Sequence, residues 1–407
     1  MLNKFKLISS FLVAIHIIGL ITMCFGYNDS QYIWSDTSVL TNSNITSSTI
    51  NLNLESKGAI LMDADTGTIL YEHNSHEKLR PASVTKVMTL LLAMEAIDEG
   101  KITLEDRVPC SEIARKMGGS QIWLAENEEL SVHEMLKAIC IVSANDCSVA
   151  MAEFIAGNEE TFVEKMNKKA KDLGMNDTLF KNCHGIDEDN HLMSPTDIAI
   201  MSRELTVNHP KILEYTSIYI DSLRNGEFGL ANTNKLVRNY KGCTGLKTGS
   251  TSLALYNLSA TASRDGLNLI AVIMGGPTSA IRFNEATKLL DYGFVNFSST
   301  KIAIKDEKIA EIKVIKGVKE NVDVVFEKDA SILVKKGEDK NIVQTLDINE
   351  TLLSPLKKGD IVGEAIYKLN EEELSRVNIV VSQDVNKLNL GNVLKFIFGK
   401  WFILLRR

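Results

Sequence analysis

The segment from Ser83 to Ile97 constrains the fold of this 407-residue chain more than any other stretch. It follows Pro81, is apolar on nearly every side of a helix, and closes at Gly100. A helix without a polar face cannot lie with one side in water, so other elements have to pack against it on all sides. The sequence therefore predicts a buried central helix.

The elements around this helix predict an α+β domain. Two short apolar runs, Ala59–Met62 and Thr68–Tyr71, flank a turn rich in Asp and Gly and are typical of a hairpin. Residues 131–208 favour helices, and strands resume after Gly242. The later strands and the last helix are predicted at Leu255–Ala262, Leu267–Met274 and Ile281–Leu290. This order indicates an antiparallel sheet with a helical cluster.

A second pattern begins near Lys301, where apolar residues alternate with polar ones between short turns. Alternation with a period of two predicts strands, so this part is expected to be a small all-β domain without catalytic residues. The alternating pairs are Ile312 and Val314, Val322 and Val324, Ile332 and Val334, and Ile379 and Val381. We place the first domain at residues 57–296 and the all-β domain at residues 297–386.

Both ends of the sequence indicate export. Lys4 and Lys6 precede an apolar run from Leu7 to Phe25, which predicts a signal peptide over residues 1–26, with an uncleaved anchor as the alternative. A Ser-, Thr- and Asn-rich linker is predicted over residues 27–56.

Residues 387–407 predict an amphipathic helix lying on a membrane surface, with Trp401 and Arg406 at the headgroup boundary. The alternative is a helix docked on its own domain.

Composition argues against two classes of protein: nucleic-acid binding proteins and disulfide-rich scaffolds. The chain has 45 basic and 52 acidic residues and a net charge of −7, which argues against nucleic-acid binding. Removal of residues 1–26 leaves five of its six cysteines, too few for a disulfide scaffold. We expect buried free thiols that act as small hydrophobic residues.

The start of the central helix carries the first chemical signal. Ser83 and Lys86 lie almost one helical turn apart, so their side chains share a face. Burial and a helix N-terminus both disfavour an ammonium, which makes Lys86 a candidate base for Ser83. The Ser-x-x-Lys pattern alone is weak, since it also occurs at Ser75, Ser298 and Ser354. A plain helix cap remains the alternative for the pair taken alone.

Two further motifs strengthen this pair. Ser143-Ala-Asn145 is the only Ser-x-Asn in the chain, and Lys247-Thr-Gly249 is the only Lys-Thr-Gly. With Ser83 they follow one another at intervals of 60 and 104 residues. Each could be a simple turn or strand end by itself, but the three in this order are a rare coincidence.

In these motifs the chain resembles the low-molecular-mass penicillin-binding proteins, the serine D-alanyl-D-alanine carboxypeptidases. The resemblance extends over residues 57–293 and implies a domain like that of β-lactamases and transpeptidases. The matching stretches are Arg80–Lys86, Val142–Asp146, Gly245–Thr251 and, more weakly, Met274–Thr278, which leads to Arg282.

The resemblance implies a role for each matched residue. Ser83 would be the acylated nucleophile, Lys86 its base, and Ser143 the relay of a proton to the leaving amine. Asn145 would hold the substrate amide, and Lys247, Thr248 and Arg282 the terminal carboxylate. Gly249 would let the substrate backbone approach the strand, and the N–H groups of Ser83 and Ser250 would form an oxyanion hole.

The implied reaction removes the terminal D-alanine from peptidoglycan stem pentapeptides at the outer face of the bacterial cytoplasmic membrane. It requires no metal or other cofactor, and β-lactam antibiotics would acylate Ser83. The alternatives are a class A-like β-lactamase and a non-catalytic wall-binding protein. Glu204 begins a Glu-x-x-x-Asn run that approximates the β-lactamase glutamate motif, but it lies 61 residues past Ser143, and we interpret it as a solvated helix residue.

Overall fold

The computed structural model describes residues 51–389 and 391. The predicted signal peptide, nearly all of the predicted linker and nearly all of the predicted C-terminal helix lie outside these residues. In the part of the chain that is described, no helix has the length and apolar character needed to cross a membrane.

A five-stranded antiparallel sheet forms the centre of the first domain, with strand order β2-β1-β9-β8-β7. Its strands are β1 (Gly58–Asp63), β2 (Ile69–His73), β7 (Cys243–Thr251), β8 (Leu255–Arg264) and β9 (Leu267–Gly276). The predicted hairpin and the two later strands are confirmed. Strand β7 holds the Lys-Thr-Gly motif within the sheet and was not among the strands predicted from the sequence.

The predicted central helix is buried, but it begins later than expected. Ala82–Thr85 forms a 3₁₀ turn, and the α-helix proper, α1, runs from Lys86 to Asp98. Ala82 has a φ of +49°, a conformation that residues with a side chain rarely adopt, and this bends the chain sharply just before Ser83. The sharp turn, rather than a regular helix start, presents the Ser83 side chain.

Short helices cover one face of the sheet and surround α1. They are α2 (Glu112–Arg115), α3 (Val132–Ile141), α4 (Asn145–Ala156), α5 (Glu159–Asp172), α6 (Pro195–Arg203) and α7 (Leu213–Thr216). A further short helix, α8 (Leu236–Asn239), instead buries Leu236 in the core on the opposite face of the sheet. Their bounds follow local signals: Ser131 and Glu134 form a capping box at the start of α3, and Gly157 ends α4 in the left-handed conformation. The predicted helical cluster is thus confirmed.

Two small hairpins and a last helix complete the first domain. The hairpins consist of β3 (Arg107–Pro109) with β4 (Glu129–Ser131), and β5 (Ile220–Leu223) with β6 (Phe228–Ala231). The last helix, α9 (Ser279–Asn296), packs on the other face of the sheet through Phe283, Leu289 and Leu290. The sheet therefore lies between α9 and the cluster around α1.

The remaining residues form the predicted all-β domain with its own core. Its strands are β10 (Phe297–Ala303), β11 (Lys308–Ile315), β12 (Asn321–Phe326), β13 (Ala330–Lys335), β14 (Ile342–Ile348), β15 (Thr351–Leu353), β16 (Ile361–Leu369) and β17 (Glu372–Val381). Strand β10 pairs with β13, and the other six form one sheet. The alternating residues Ile312, Val322 and Ile379 point into the core, as the sequence predicted.

The five cysteines of the described chain are all free thiols, as predicted. Cys110, Cys140, Cys147 and Cys183 are buried, and Cys243 is half-buried.

The burial of α1 leads to a test of the core. Leu90 is fully buried in α1, so Leu90→Ala removes apolar contacts on all sides and should lower the free energy of unfolding by about 2–5 kcal/mol. Leu353→Ala is the matched control, because this leucine in the all-β domain is 62% exposed and should change stability by less than about 0.5 kcal/mol. Urea denaturation of both variants checks the difference; equal effects would mean that α1 is not the core element described.

Candidate active site

The turn that carries Ser83 is held from several sides. The Thr85 hydroxyl donates to the Ala82 carbonyl at 2.8 Å, and the buried His191 ring lies 3.0 Å from that hydroxyl. A loop packs directly on the turn at Gly185, where an added Cβ would lie 1.9 Å from the Ala82 carbonyl oxygen. The turn that carries Ser83 is therefore fixed by close packing that only a glycine at position 185 permits.

The Lys86 amine is buried and faces three oxygen atoms. Its Nζ lies 2.9 Å from Ser83 Oγ, 2.6 Å from Asn145 Oδ1 and 2.6 Å from the His184 carbonyl oxygen. Burial lowers the pKa of Lys86 well below its ordinary value, and the nearby ammonium of Lys247 lowers it further. The site thus favours a neutral amine at position 86.

A neutral amine fits this set of neighbours. It has two N–H donors, and the oxygens of Asn145 and His184 are pure acceptors that take both. The remaining lone pair of Lys86 then faces the hydroxyl of Ser83, which can donate to it. The geometry therefore orients Lys86 to take the proton of Ser83.

A second buried lysine lies against Ser143. Lys247 Nζ donates to Ser143 Oγ and to the Thr248 carbonyl, each at 2.8 Å. Burial is the main reason why the pKa of Lys247 is lowered to about 7. The nearby Cys140 raises this pKa, and the charge of Arg282 lowers it. Ser143 has a φ of +65°, so its side chain leaves the chain at an unusual angle between α3 and α4.

Asn145 is locked in position at the start of α4. Its Nδ2 donates to the Gly118 carbonyl at 2.6 Å, and its backbone N–H donates to the Ser120 carbonyl at 2.7 Å. The adjacent Asp146 is buried and accepts the backbone N–H groups of Ile122 and Leu124, each at 3.1 Å. The segment from Gly118 to Leu124 is therefore fastened around Asn145.

Strand β7 brings the Lys-Thr-Gly motif against the turn that carries Ser83. Thr248 Oγ1 lies 2.7 Å from Thr233 Oγ1. Ser250, two residues further along the strand, is exposed. A Cβ added at Gly249 would lie 2.8 Å from the Pro81 carbonyl and 2.9 Å from the backbone nitrogen of Ser83. Gly249 is therefore needed for the close approach of β7 to the turn, in addition to the access for substrate that the sequence predicted.

Arg282 approaches this strand from α9. Its Nη1 donates to the carbonyls of Gly249 and Asn257, at 3.3 and 3.1 Å, and its side chain is buried. In this arrangement Arg282 supports the strand from behind. A direct contact with a substrate carboxylate stays a prediction.

The structure brings together the sequence-predicted site residues, and it adds three that the sequence reasoning missed. The His184 carbonyl completes the surroundings of Lys86, Thr233 contacts Thr248, and Asn257 donates to the Arg80 carbonyl at 2.8 Å. A carbonyl leaves no signal in a sequence, because every residue has one. The other two are single polar residues without a motif.

Glu204 lies outside this site. It starts a single π-helical turn, Glu204–Asn208, after α6, and its carboxylate accepts hydrogen bonds from Lys169 and Asn208. Its side chain is only 13% exposed, so the prediction of a solvated residue was wrong. Glu204 lies close to Glu95 and His209, and the Lys169 ammonium forms ion pairs with both carboxylates, at 2.5 Å from Glu95 and 3.3 Å from Glu204.

The chain matches two family models. One, described as D-alanyl-D-alanine carboxypeptidase, matches residues 43–278. The other, described as the C-terminal domain of penicillin-binding protein 5, matches residues 297–387. Together they account for most of the chain.

Individual proteins agree with these models. D-alanyl-D-alanine carboxypeptidase DacF of Bacillus subtilis is 43% identical over 357 residues, which cover 87% of this chain and 92% of that protein. The crystal structure of penicillin-binding protein 5 from Haemophilus influenzae gives a TM-score of 0.69 at 32% identity, covering 83% of this chain and 99% of that one. Penicillin-binding protein D2 from Listeria monocytogenes, in an ampicillin-bound form, gives 0.56 at 30% identity over 60% of this chain and 100% of that one.

The burial of Lys247 leads to a pH-dependent stability. Its pKa is lower in the folded protein than in the unfolded chain, so between about pH 7 and 10.5 the unfolded state binds more protons and stability rises with pH. Lys247→Met removes the buried amine and, with it, the free-energy cost of taking that amine out of water. The substitution should therefore raise the free energy of unfolding at pH 7 by about 1–2 kcal/mol. The gain should shrink as the pH approaches 10.

Chemical denaturation at pH 7, 8.5 and 10 measures this gain. Lys101→Met is the matched control, because the Lys101 side chain is 69% exposed and its substitution should leave the pH profile unchanged. A Lys247→Met variant that is no more stable than the parent at pH 7 would contradict the depressed pKa.

Proposed function

Because this chain belongs to the D-alanyl-D-alanine carboxypeptidase family and is such an enzyme, we propose that Ser83 is its nucleophile and Lys86 the base that activates it. The observation that carries the proposal is the buried Lys86 amine, whose Nζ lies 2.9 Å from Ser83 Oγ while its N–H groups are taken by two carbonyl-type acceptors. A serine needs such a base to attack an amide at neutral pH.

In the acylation step, Ser83 Oγ attacks the carbonyl carbon of the bond between the last two D-alanines, and Lys86 takes the hydroxyl proton. The N–H groups of Ser83 and Ser250 stabilise the developing oxyanion. The C–N bond then breaks, and the proton that Lys86 took from Ser83 passes through Ser143 to the amine of the departing D-alanine, which leaves Lys86 neutral again. The position of Ser143 supports this relay, because its hydroxyl accepts a hydrogen bond from Lys247 and can pass on its own proton.

Recognition of a free chain end follows from the charges beside the nucleophile. The ammonium of Lys247 and the hydroxyl of Thr248 bind the terminal carboxylate, and Arg282 supports them or contacts it. Asn145 holds an amide on the other side of the scissile bond. Water then attacks the acyl-enzyme, with Lys86 again as the base, and releases the shortened peptide and free Ser83.

The partners and location follow from the substrate. The stem pentapeptide of peptidoglycan is the substrate, and β-lactams act as covalent inhibitors at Ser83, which the ampicillin-bound form of a related protein supports. Because this polymer lies outside the cytoplasm, the protein is exported and works at the outer face of the bacterial membrane. The signal predicted over residues 1–26 and the membrane-surface helix predicted over residues 387–407 would serve that location.

Substitution of Ser83 tests the nucleophile. Ser83→Ala should lower D-alanine release from a stem pentapeptide at least about 10⁴-fold and should abolish the penicillin adduct seen by mass spectrometry. Ser298→Ala is the matched control, because this serine also belongs to a Ser-x-x-Lys pattern and its buried hydroxyl has no hydrogen-bond partner in the described chain. An adduct that persists in Ser83→Ala would assign the chemistry elsewhere; rapid penicillin turnover by the parent would favour the β-lactamase alternative.

The lowered pKa of Lys247 predicts how the rate depends on pH. In the free enzyme, Lys247 loses its proton above about pH 7, so kcat/KM should fall on the alkaline side through a rise in KM. A bound carboxylate raises the pKa of Lys247, so kcat should stay level over the same range. Steady-state kinetics between pH 5 and 10 separate the two; an alkaline fall in kcat with a constant KM would contradict the carboxylate role.

A further inference from the structure

The all-β domain exposes four large apolar side chains close to the last residues that the structure describes. Ile315, Val318, Leu353 and Leu388 are between 42% and 62% exposed. Single exposed apolar residues are common and need no explanation, whereas a contiguous group of them marks a binding surface. Whether these four form one surface depends on the contacts between the segments that carry them.

Backbone pairing brings the three segments together. Strands β11 and β15 are parallel, with Ile315 opposite Leu353, so these two side chains lie side by side. The Leu388 N–H donates to the Lys316 carbonyl at 2.7 Å, which places the third segment on the same turn. The segments that meet in this way are residues 315–319, 353–358 and 385–388.

The turn after β11 is also packed against the third segment. The Val318 N–H donates to the Asn386 carbonyl at 2.9 Å, and Gly317 forms an isolated bridge with Lys387. A Cβ added at Gly317 would lie 3.0 Å from the Val385 side chain. The four apolar side chains therefore form one preformed surface, which we call the C-terminal patch: Ile315, Val318, Leu353 and Leu388.

Five exposed lysines surround the C-terminal patch. The same loops contain three carboxylates, and two of these bind backbone: Asp360 accepts the N–H of Lys357 and Asp384 that of Lys358, each at 2.7 Å. With Glu320 as the third, five positive and three negative charges leave +2 here, whereas the whole chain carries −7. The lysines are Lys316, Lys319, Lys357, Lys358 and Lys387.

The charge decides what can cover the C-terminal patch. A second copy that met it with its own patch would bring lysines against lysines. Residues 390–407 meet the same difficulty, because the sequence after Asp384 contains five basic residues and no acidic one. An anionic surface, in contrast, attracts both the patch and the sequence that follows it.

We propose that the C-terminal patch is a membrane contact of the all-β domain itself, in addition to the helix predicted over residues 387–407. The lysines bind the headgroups of anionic phospholipids, and the four apolar side chains enter the interface between headgroups and acyl chains. Each lysine close to such a surface contributes about a fivefold gain in affinity. The contact does not depend on the mechanism proposed above, because the patch shares no residue with the active site.

Partition of the full chain into lipid vesicles tests the charges. The vesicles consist of phosphatidylcholine alone or of phosphatidylcholine with about one third phosphatidylglycerol, and the parent should bind the anionic ones more strongly. Replacement of four patch lysines should lower binding to anionic vesicles at least about 50-fold and leave binding to neutral ones unchanged. The variant is Lys316→Gln/Lys319→Gln/Lys357→Gln/Lys358→Gln.

The matched control removes four exposed lysines of the same domain that lie outside the C-terminal patch, and it should change binding by less than about threefold. Equal losses in the two variants would mean that net charge alone drives binding. No loss in the patch variant would assign the anionic preference to the C-terminal segment. Either result overturns the inference. The control is Lys305→Gln/Lys328→Gln/Lys340→Gln/Lys368→Gln.

The apolar side chains separate a bilayer from a soluble anionic polymer. Val318→Ser/Leu353→Ser should lower partition into anionic vesicles about tenfold and leave binding of polyphosphate unchanged. Ile304→Ser/Val343→Ser is the matched control, because these two residues of the domain are equally exposed outside the patch. A loss with the lysine variant but none with Val318→Ser/Leu353→Ser would assign the patch to a soluble polyanion and overturn the membrane contact.

Activity in solution keeps this inference apart from the proposed function. All four variants should release D-alanine from a stem pentapeptide at the rate of the parent, which also shows that they are folded. Failure of the parent to release D-alanine would contradict the proposed function and would leave the vesicle result to decide the membrane contact.

Discussion

The site depends on keeping the Lys86 amine away from water and without a bonded carboxylate. Its neighbours accept its N–H groups but do not neutralise a positive charge, so burial lowers the pKa of Lys86 and favours the neutral amine. Many features of the fold serve this end: α1 is buried on all sides, the His184 carbonyl is pressed against the turn, and α4 delivers Asn145. The proposed activation of Ser83 is a consequence of that burial.

Much of this could be predicted from sequence because the relevant signals are local. The apolar run after Ser83 predicted a buried helix, alternation in the C-terminal part predicted strands, and three short motifs identified the residues that meet at the site. The 104 residues between Ser143 and Lys247 do not weaken that prediction, since each motif is tied to a definite element: a turn before α1, the start of α4 and strand β7.

The remaining features depend on packing between segments that are distant in sequence. The left-handed conformation of Ala82 replaced the expected regular helix start, because the turn has to fit beneath Gly185 and beside Gly249. Glu204 was expected in water but is paired with Lys169 of another helix. Neither an ion pair across two helices nor a backbone carbonyl beside an amine leaves a pattern in the chain.

The place of β7 at the margin of its sheet has a consequence for selectivity. A marginal strand leaves main-chain groups on one side free to align with an extended peptide, and every peptide has the same main chain. Such pairing adds affinity without discrimination. Choice among peptides must therefore come from the side chains beside the strand, such as Lys247 and Thr248, rather than from the strand itself.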